Sequence, residues 1–296
     1  MSTIYNNGVT ASNVNPVNDV YAGLDAIFRS DVVIAEGTNN LDGFYKGEIE
    51  NGKMLEQCFI EMATPYSFTR DDTQYLFKGN DAGINFKYFT DWNYEQSNKE
   101  LFTYKIKEML DNGKTEDEIV AGVVASLRNG DNDKIFDDMK GLLLNAKSQM
   151  NAWSTPAPAT MEDVCLAIRD IISHFEFANN DYCAKKHRTF KNDIRIIIPA
   201  TLVNRIDVTY LANLLHVERA EMDALFYKVD TTDNVVYVVD KNAIGYFTKN
   251  TEGYTEVLKP LRKMIFYFDR DKLYYYSDFF KATYFTYTPV EETQGE

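Results

Sequence analysis

Cysteine, histidine and long apolar runs are scarce in this sequence, and each scarcity closes off a class of protein. Cys58, Cys165 and Cys183 are the only cysteines in 296 residues, an odd set without close pairing. No disulfide framework is expected, and all three read as buried or half-buried thiols. The histidines are His174, His187 and His216. Cys183 and His187 share helical spacing, but a structural metal site needs four ligands and two have no candidate, so ordinary side chains are expected. No apolar run approaches the ~20 residues that a membrane span requires. The opening MSTIYNNGVTASNVNP lacks a basic n-region and an apolar h-region. A secretory leader is therefore not expected, and a soluble protein made in a cytoplasm is.

Positive charge is also short. Thirty-one Lys and Arg face 45 Asp and Glu, for a net charge of -14. A surface built to grip DNA carries a basic stripe, and none is visible. Several signatures of chemistry are missing: GxxxxGK(S/T), GxGxxG after a strand, GxSxG, HExxH and CxxC. Asp131-Asn132-Asp133 imitates half of a calcium loop without its glycine or its bidentate glutamate, and reads as helix surface or a kink. Asp137-Asp138 and Glu291-Glu292 read as solvated faces. No catalytic, cofactor-binding or metal-binding residue is expected.

Aromatics, in contrast, are abundant, with 20 Tyr and 19 Phe, which suits β-rich packing and protein–protein contact. Residues 1–43 read as an arm, with a short helix over Val17–Phe28. Residues 44–83 read as an extended β-hairpin with a turn at Asn51-Gly52 and a loop over Gly79–Gly83. Ile84–Trp92 predicts a strand. Leu101–Leu110 predicts a short helix closed by Asp111-Asn112-Gly113.

Thr115 with Glu118 is a capping-box pair, and apolar residues then recur every three or four positions to Gln149. The predicted helix is on the order of 50 Å long, with a weak point at Gly130 where one continuous helix is favoured. Thr155-Pro156-Ala157-Pro158 is the clearest boundary in the chain. Beyond it, Thr160 and Asp163 open a helix running through Phe175. Ile194–Ile198 and Val235–Val239 predict buried strands. Helices are expected after Asp207 (Tyr210, Leu211, Leu214, Leu215) and over Glu218–Phe226. Met264–Phe268 and Lys272–Tyr287 predict strands joined by a turn at Asp269-Arg270-Asp271, and the acidic tail after Pro289 is expected to fray.

The order of these parts, with the phrases INFKYFTDWNYE, DNDKIFDDMKGLLLNA, NDIRIIIPATLVNRIDVTYLANLL, VVYVVDKNAIGYF and RKMIFYFDRDKLYYYSDFFKATYF, resembles the major capsid proteins of tailed bacteriophages. The resemblance implies an α+β chain with the Hong Kong phage capsid fold. It implies an N-terminal arm (1–43), an extended β-hairpin loop (44–83), a peripheral domain (84–154 and 261–296) with a spine helix (115–149), and an α/β axial domain (155–260). It also implies a homo-oligomer of pentamers and hexamers in an icosahedral head around double-stranded DNA, assembled in the bacterial host cytoplasm. Portal, scaffold and decoration proteins are the further partners implied. The DNA is packaged without sequence-specific binding, and no membrane is involved. Three other readings compete: an encapsulin-type nanocompartment shell, a phage tail or adaptor protein, and an enzyme built around Asp207, Asp240 and His216.

Overall fold

The computed structural model describes residues 41–50, 54–63, 83–153, 156–206, 211–213, 220, 224–231, 233–250, 255–258 and 261–288. Residues 1–40 of the expected arm, the turn at Asn51-Gly52, residues 79–82 of the expected loop, Asp207, His216 and the acidic tail lie outside these residues.

Strands β1 (Tyr45–Ile49), β2 (Leu55–Ile60), β3 (Ile84–Phe89) and β4 (Asn93–Phe102) come first. A short helix, α1 (Thr103–Asp111), and a long one, α2 (Glu116–Lys147), follow. Gly113, at φ +83°, turns the chain between them in a conformation that costs a glycine little. The start of α2 is set by the predicted capping box. Thr115 Oγ1 accepts from the Glu118 amide at 3.2 Å, and the Glu118 carboxylate accepts from the Thr115 amide at 3.1 Å. Glu116, Asp117 and Glu118 place negative charge at the positive end of the helix dipole.

The helix runs unbroken through Gly130 for 32 residues, about 48 Å at 1.5 Å per residue. Its buried residues step by four: Ile119, Val123, Leu127, Asp131, Ile135, Met139 and Leu143. At 100° per residue a four-residue step overshoots a full turn by about 40°, so the buried stripe winds around the helix. The mean direction of burial in the first half differs from that in the second by about 140°. Each half therefore serves a different core. Ile119, Val120, Val123 and Leu127 pack with Ile106, Met264 and Phe266. Ile135, Met139, Leu143 and Ala146 pack with Ile197, Tyr237, Val239 and Ile244. A Cβ on Gly130 would meet nothing within 4 Å. Gly130→Ala is accordingly expected to raise stability by about 0.5–1 kcal/mol, read as a higher unfolding midpoint.

The remaining elements are β5 (Asn151–Ala152), α3 (Met161–Phe175), β6 (Ile194–Pro199), α4 (Ala200–Val203), β7 (Phe226–Val229), β8 (Val235–Asp240), β9 (Ile244–Asn250), β10 (Thr255–Leu258), β11 (Lys263–Tyr276) and β12 (Ala282–Thr286). They form two five-stranded sheets. In one, β11 pairs with β4 along one edge, with β9 and β10 along the other, and β1 lies parallel to β9. The other has the order β5-β12-β8-β6-β7.

Helix α3 covers one face of this second sheet. It contributes Val164, Ile168, Ile171, Ile172 and Phe175 to a core with Ile196, Ile198, Val236 and Val238, at about 1.5–3 kcal/mol for each large apolar side chain buried. The second half of α2 covers the other face. Being covered on both sides is why β6 and β8 read as continuous apolar runs.

Local expectations are corrected at several places, and one strand is added. Asp269-Arg270-Asp271 is not a turn, because β11 runs straight through it with Asp269 opposite Gln96 and Arg270 opposite Glu95. The polar stretch Asn93–Phe102 is a strand, its polar side chains accommodated on an open edge of the sheet. The strands flanking Asn51-Gly52 do not pair with each other, since β1 joins β9 and β2 joins β3. Phe44 is not part of an extended loop but is fully buried with Leu41 beside α2. Phe226 opens strand β7 instead of ending a helix. In addition, β12 does not return to the sheet of β11 but pairs with β8 in the second one.

Candidate assembly surface

Of the residues that sequence chemistry singled out, Asp131, Asp137, Asp138, Cys183, His187 and Asp240 fall among those described. Cys183 Sγ lies 3.6 Å from His187 Nδ1, but burial pushes the thiol up to about 11, which leaves it protonated at neutral pH. Among the described residues no group of three or more His, Cys, Asp or Glu side chains is placed to hold a metal. Asp240 accepts from Thr189 Oγ1 at 2.7 Å and from the Asn242 amide at 2.8 Å, closing the end of β8. Asp137 pairs with Lys140 on the helix surface, whereas Asp138, read as part of a solvated face, is half-buried and pairs with Lys134. Cys58, expected inside, is exposed.

Asp131 is the larger correction. It is neither helix surface nor a kink: it is buried, and the fully buried Lys272 donates to its Oδ1 at 2.5 Å. Arg270 lies 3.6 Å from its other oxygen. Glu95 and Asp138 extend this charged belt, with Lys134 3.6 Å from the first and 2.8 Å from the second. Burial, then the charge of Asp138, holds the Glu95 carboxyl above its ordinary value. The belt ties the middle of α2 to the sheet at the point where its apolar stripe changes sides.

The surface that stands out is the ribbon formed by β2 and β3. They pair antiparallel with Glu56 opposite Tyr88, Cys58 opposite Phe86, and Ile60 opposite Ile84. Alternation along a strand places these pairs on one face. That face is open to solvent and mostly apolar: Ile60, Ile84, Phe86 and Tyr88 are each more than half exposed. The opposite face is the anchored one. Phe59 packs against His187, Phe279 and Phe280. Lys87 pairs with Asp278 at 2.6 Å, and Glu61 with Lys185 at 2.6 Å. The outward face thus leaves four large apolar side chains in solvent, while the inward face is held by Phe59 at its centre and by ion pairs beside it. Contiguous apolar surface of this kind marks a protein contact. The alternation of Ile84, Phe86 and Tyr88 was visible in the sequence, but which way they pointed was not.

Sequence and structure comparisons bear on the family and the fold. The family model for the Phi29-like phage major capsid protein matches residues 11–286. No curated protein sequence matches significantly. Among solved structures, the capsid of Staphylococcus phage Andhra superposes with a TM-score of 0.67 at 12% identity, covering 85% of this chain and 84% of that one. The capsid of cyanophage P-SCSP1u gives 0.52 at 12% identity, covering 83% and 87%. The head structure of Helicobacter pylori bacteriophage KHP40 gives 0.53 at 9%, covering 86% and 92%. At such identities the structures speak for a shared fold, and the family model for the role. It is a model of a phage head protein, not of a nanocompartment shell or a tail adaptor. An open apolar ribbon on a mixed helix-and-sheet body, matched over almost its whole length, places the chain in the Phi29-like phage major capsid protein family, the shell-forming subunits of phage heads.

Proposed function

We propose that the subunit builds an icosahedral, double-stranded-DNA head with the subdivision of the Hong Kong phage capsid fold. In this reading α2 is the spine, and the sheet of β4, β9, β10 and β11 with α1 is the peripheral part. The sheet of β6, β7, β8 and β12 with α3 is the axial part. The extended loop is placed at the ribbon strands Leu55–Ile60 and Ile84–Phe89, a shift from the 44–83 of the sequence reading. Its role is non-enzymatic. Axial parts meet head-to-tail in rings of five and six, which heterologous surfaces can close. Each ribbon lies across a neighbouring subunit, so weak contacts add up over a closed lattice.

The outward face of Ile60, Ile84, Phe86 and Tyr88 is the observation that carries this reading. A monomer gains nothing from it, whereas a neighbour laid across it removes several large apolar side chains from water. The net charge of -14 suits a container that holds DNA without gripping it. Portal, scaffold and decoration proteins would be the heterologous partners, with assembly in the bacterial host cytoplasm before the subunit enters the virion.

Ile60→Asp with Phe86→Asp tests the ribbon. Both side chains are exposed in the single subunit, so its unfolding free energy should change by no more than about 0.5 kcal/mol per site. Closed particles should be missing from electron micrographs of the double variant. Particles at wild-type yield would exclude the outward face as a subunit contact.

A further inference from the structure

The ribbon touches the body of the subunit through a small base, and a histidine lies at its centre. Phe59 is the one buried side chain of β2. Its ring meets that of His187 edge-on at 5.5 Å, and Phe280 meets the same imidazole at 5.8 Å. His187 is 8% exposed. Its Nδ1 lies 3.0 Å from the Lys185 carbonyl oxygen, which can only accept, so Nδ1 is the donor. Its Nε2 is buried and has no hydrogen-bond partner among the described residues. A neutral imidazole fits this place. A second N–H would point from Nε2 into the interior with no acceptor, and would carry a charge with it.

The charged neighbours do not provide one. From the same loop, Cys183 faces Nδ1, and the Lys185 ammonium is turned away to Glu61. Lys281, preceding β12, donates to the carbonyls of Phe175 and Phe177 and opposes a second positive charge. Asp240 on β8 favours such a charge, but its carboxylate is engaged by Thr189 and Asn242. From the ribbon, Glu61 is held by Lys185 and Asn85, and Lys87 by Asp278. Burial dominates this balance and holds the imidazole below its ordinary 6.5.

We propose that His187 is an acid-sensitive latch for the β2–β3 ribbon: neutral, it seats Phe59 against the body, and a second proton at Nε2 releases the ribbon's base. The latch works within one subunit, whatever the outer face of the ribbon touches. The seated state takes the second proton less readily than the released state. Seating is therefore complete above the ordinary imidazole value and weakens as pH falls through it towards the seated-state value. The released population rises by up to about tenfold for each pH unit separating the two states. Lys185, then Asn85, hold the Glu61 carboxyl below its ordinary value, so that ion pair fails only at lower pH.

Hydrogen exchange of amides 55–60 and 84–89 in the full-length chain, corrected for intrinsic rates and compared between about pH 7.5 and pH 5.5, reads the latch directly. The wild type should exchange several-fold faster at the lower pH. His187→Asn retains a donor for Lys185 and cannot titrate, so its corrected exchange should be flat, while Glu61→Gln should keep the response. A flat wild type, or an equal response in His187→Asn, overturns the proposal. Loss of the response in Glu61→Gln would move the switch to the ion pair and overturn it too. With three histidines in the chain, magnetic resonance titration gives a readout that needs no variant. A His187 imidazole titrating at or above 6.5 would exclude the latch.

Discussion

Asp131→Ala is expected to destabilise the subunit by about 3–5 kcal/mol, out of proportion to the loss of one short side chain. Lys272 is fully buried, and its ammonium donates to Asp131 at 2.5 Å. Removing the carboxylate leaves a positive charge deep in the protein, next to Arg270, which has lost the same partner. The cost comes from this abandoned charge and not from the pair's own strength. The double variant Asp131→Ala with Lys272→Met should therefore regain most of the loss, because a thioether of similar length needs no counter-ion. Chemical denaturation of the two variants checks this. Equal losses in single and double variants would show that the pair acts through packing alone.

Met139→Asp is expected to prevent folding altogether. Met139 has no exposed surface and lies in the core that α2 shares with the second sheet and β9. The substitution forfeits about 2–5 kcal/mol of burial and packing. It also places a carboxylate where burial without a partner costs several kcal/mol more. Against a typical total of about 5–15 kcal/mol, little or nothing remains. Met139→Leu preserves volume and should cost under about 1.5 kcal/mol. Soluble, full-size shells from Met139→Asp would show that the second half of α2 is not packed as described.

The elements that the sequence revealed are those whose causes are local. Thr115 with Glu118 and Thr160 with Asp163 are both capping boxes in the structure, each closed by side chains three residues apart. Ile194–Ile198 and Val235–Val239 showed themselves as buried strands because both of their faces are covered. What stayed hidden depends on residues far apart in the chain. β4 looks too polar for a strand until β11 is seen to pair with ten of its residues. Asp269-Arg270-Asp271 looks like a turn until Asp131, 139 residues before Arg270 in the sequence, is seen to hold that arginine.

The ribbon shows the same division. Its alternation could be read from Ile84 to Phe89, but an alternating strand has two faces, and the sequence does not say which one is buried. The contacts of Phe59, Lys87 and Glu61 with loops around residues 185 and 278 decide it.

By itself, then, the sequence determined the long helix and its start, because capping and a three-to-four spacing act within a few residues; its continuity through Gly130, only favoured by the sequence, was decided by the structure. The sequence also determined the class of protein through the order of its elements, later matched by the family model over residues 11–286. Only the tertiary structure decided what the helix does with its two halves. Its buried stripe winds by about 40° at every four-residue step, so one half faces Met264 and Phe266 and the other Ile197 and Val239. The charged belt at Asp131, between the halves, can be buried only because Lys272 and Arg270 arrive from a strand more than a hundred residues later, and proximity of that kind is a property of the fold.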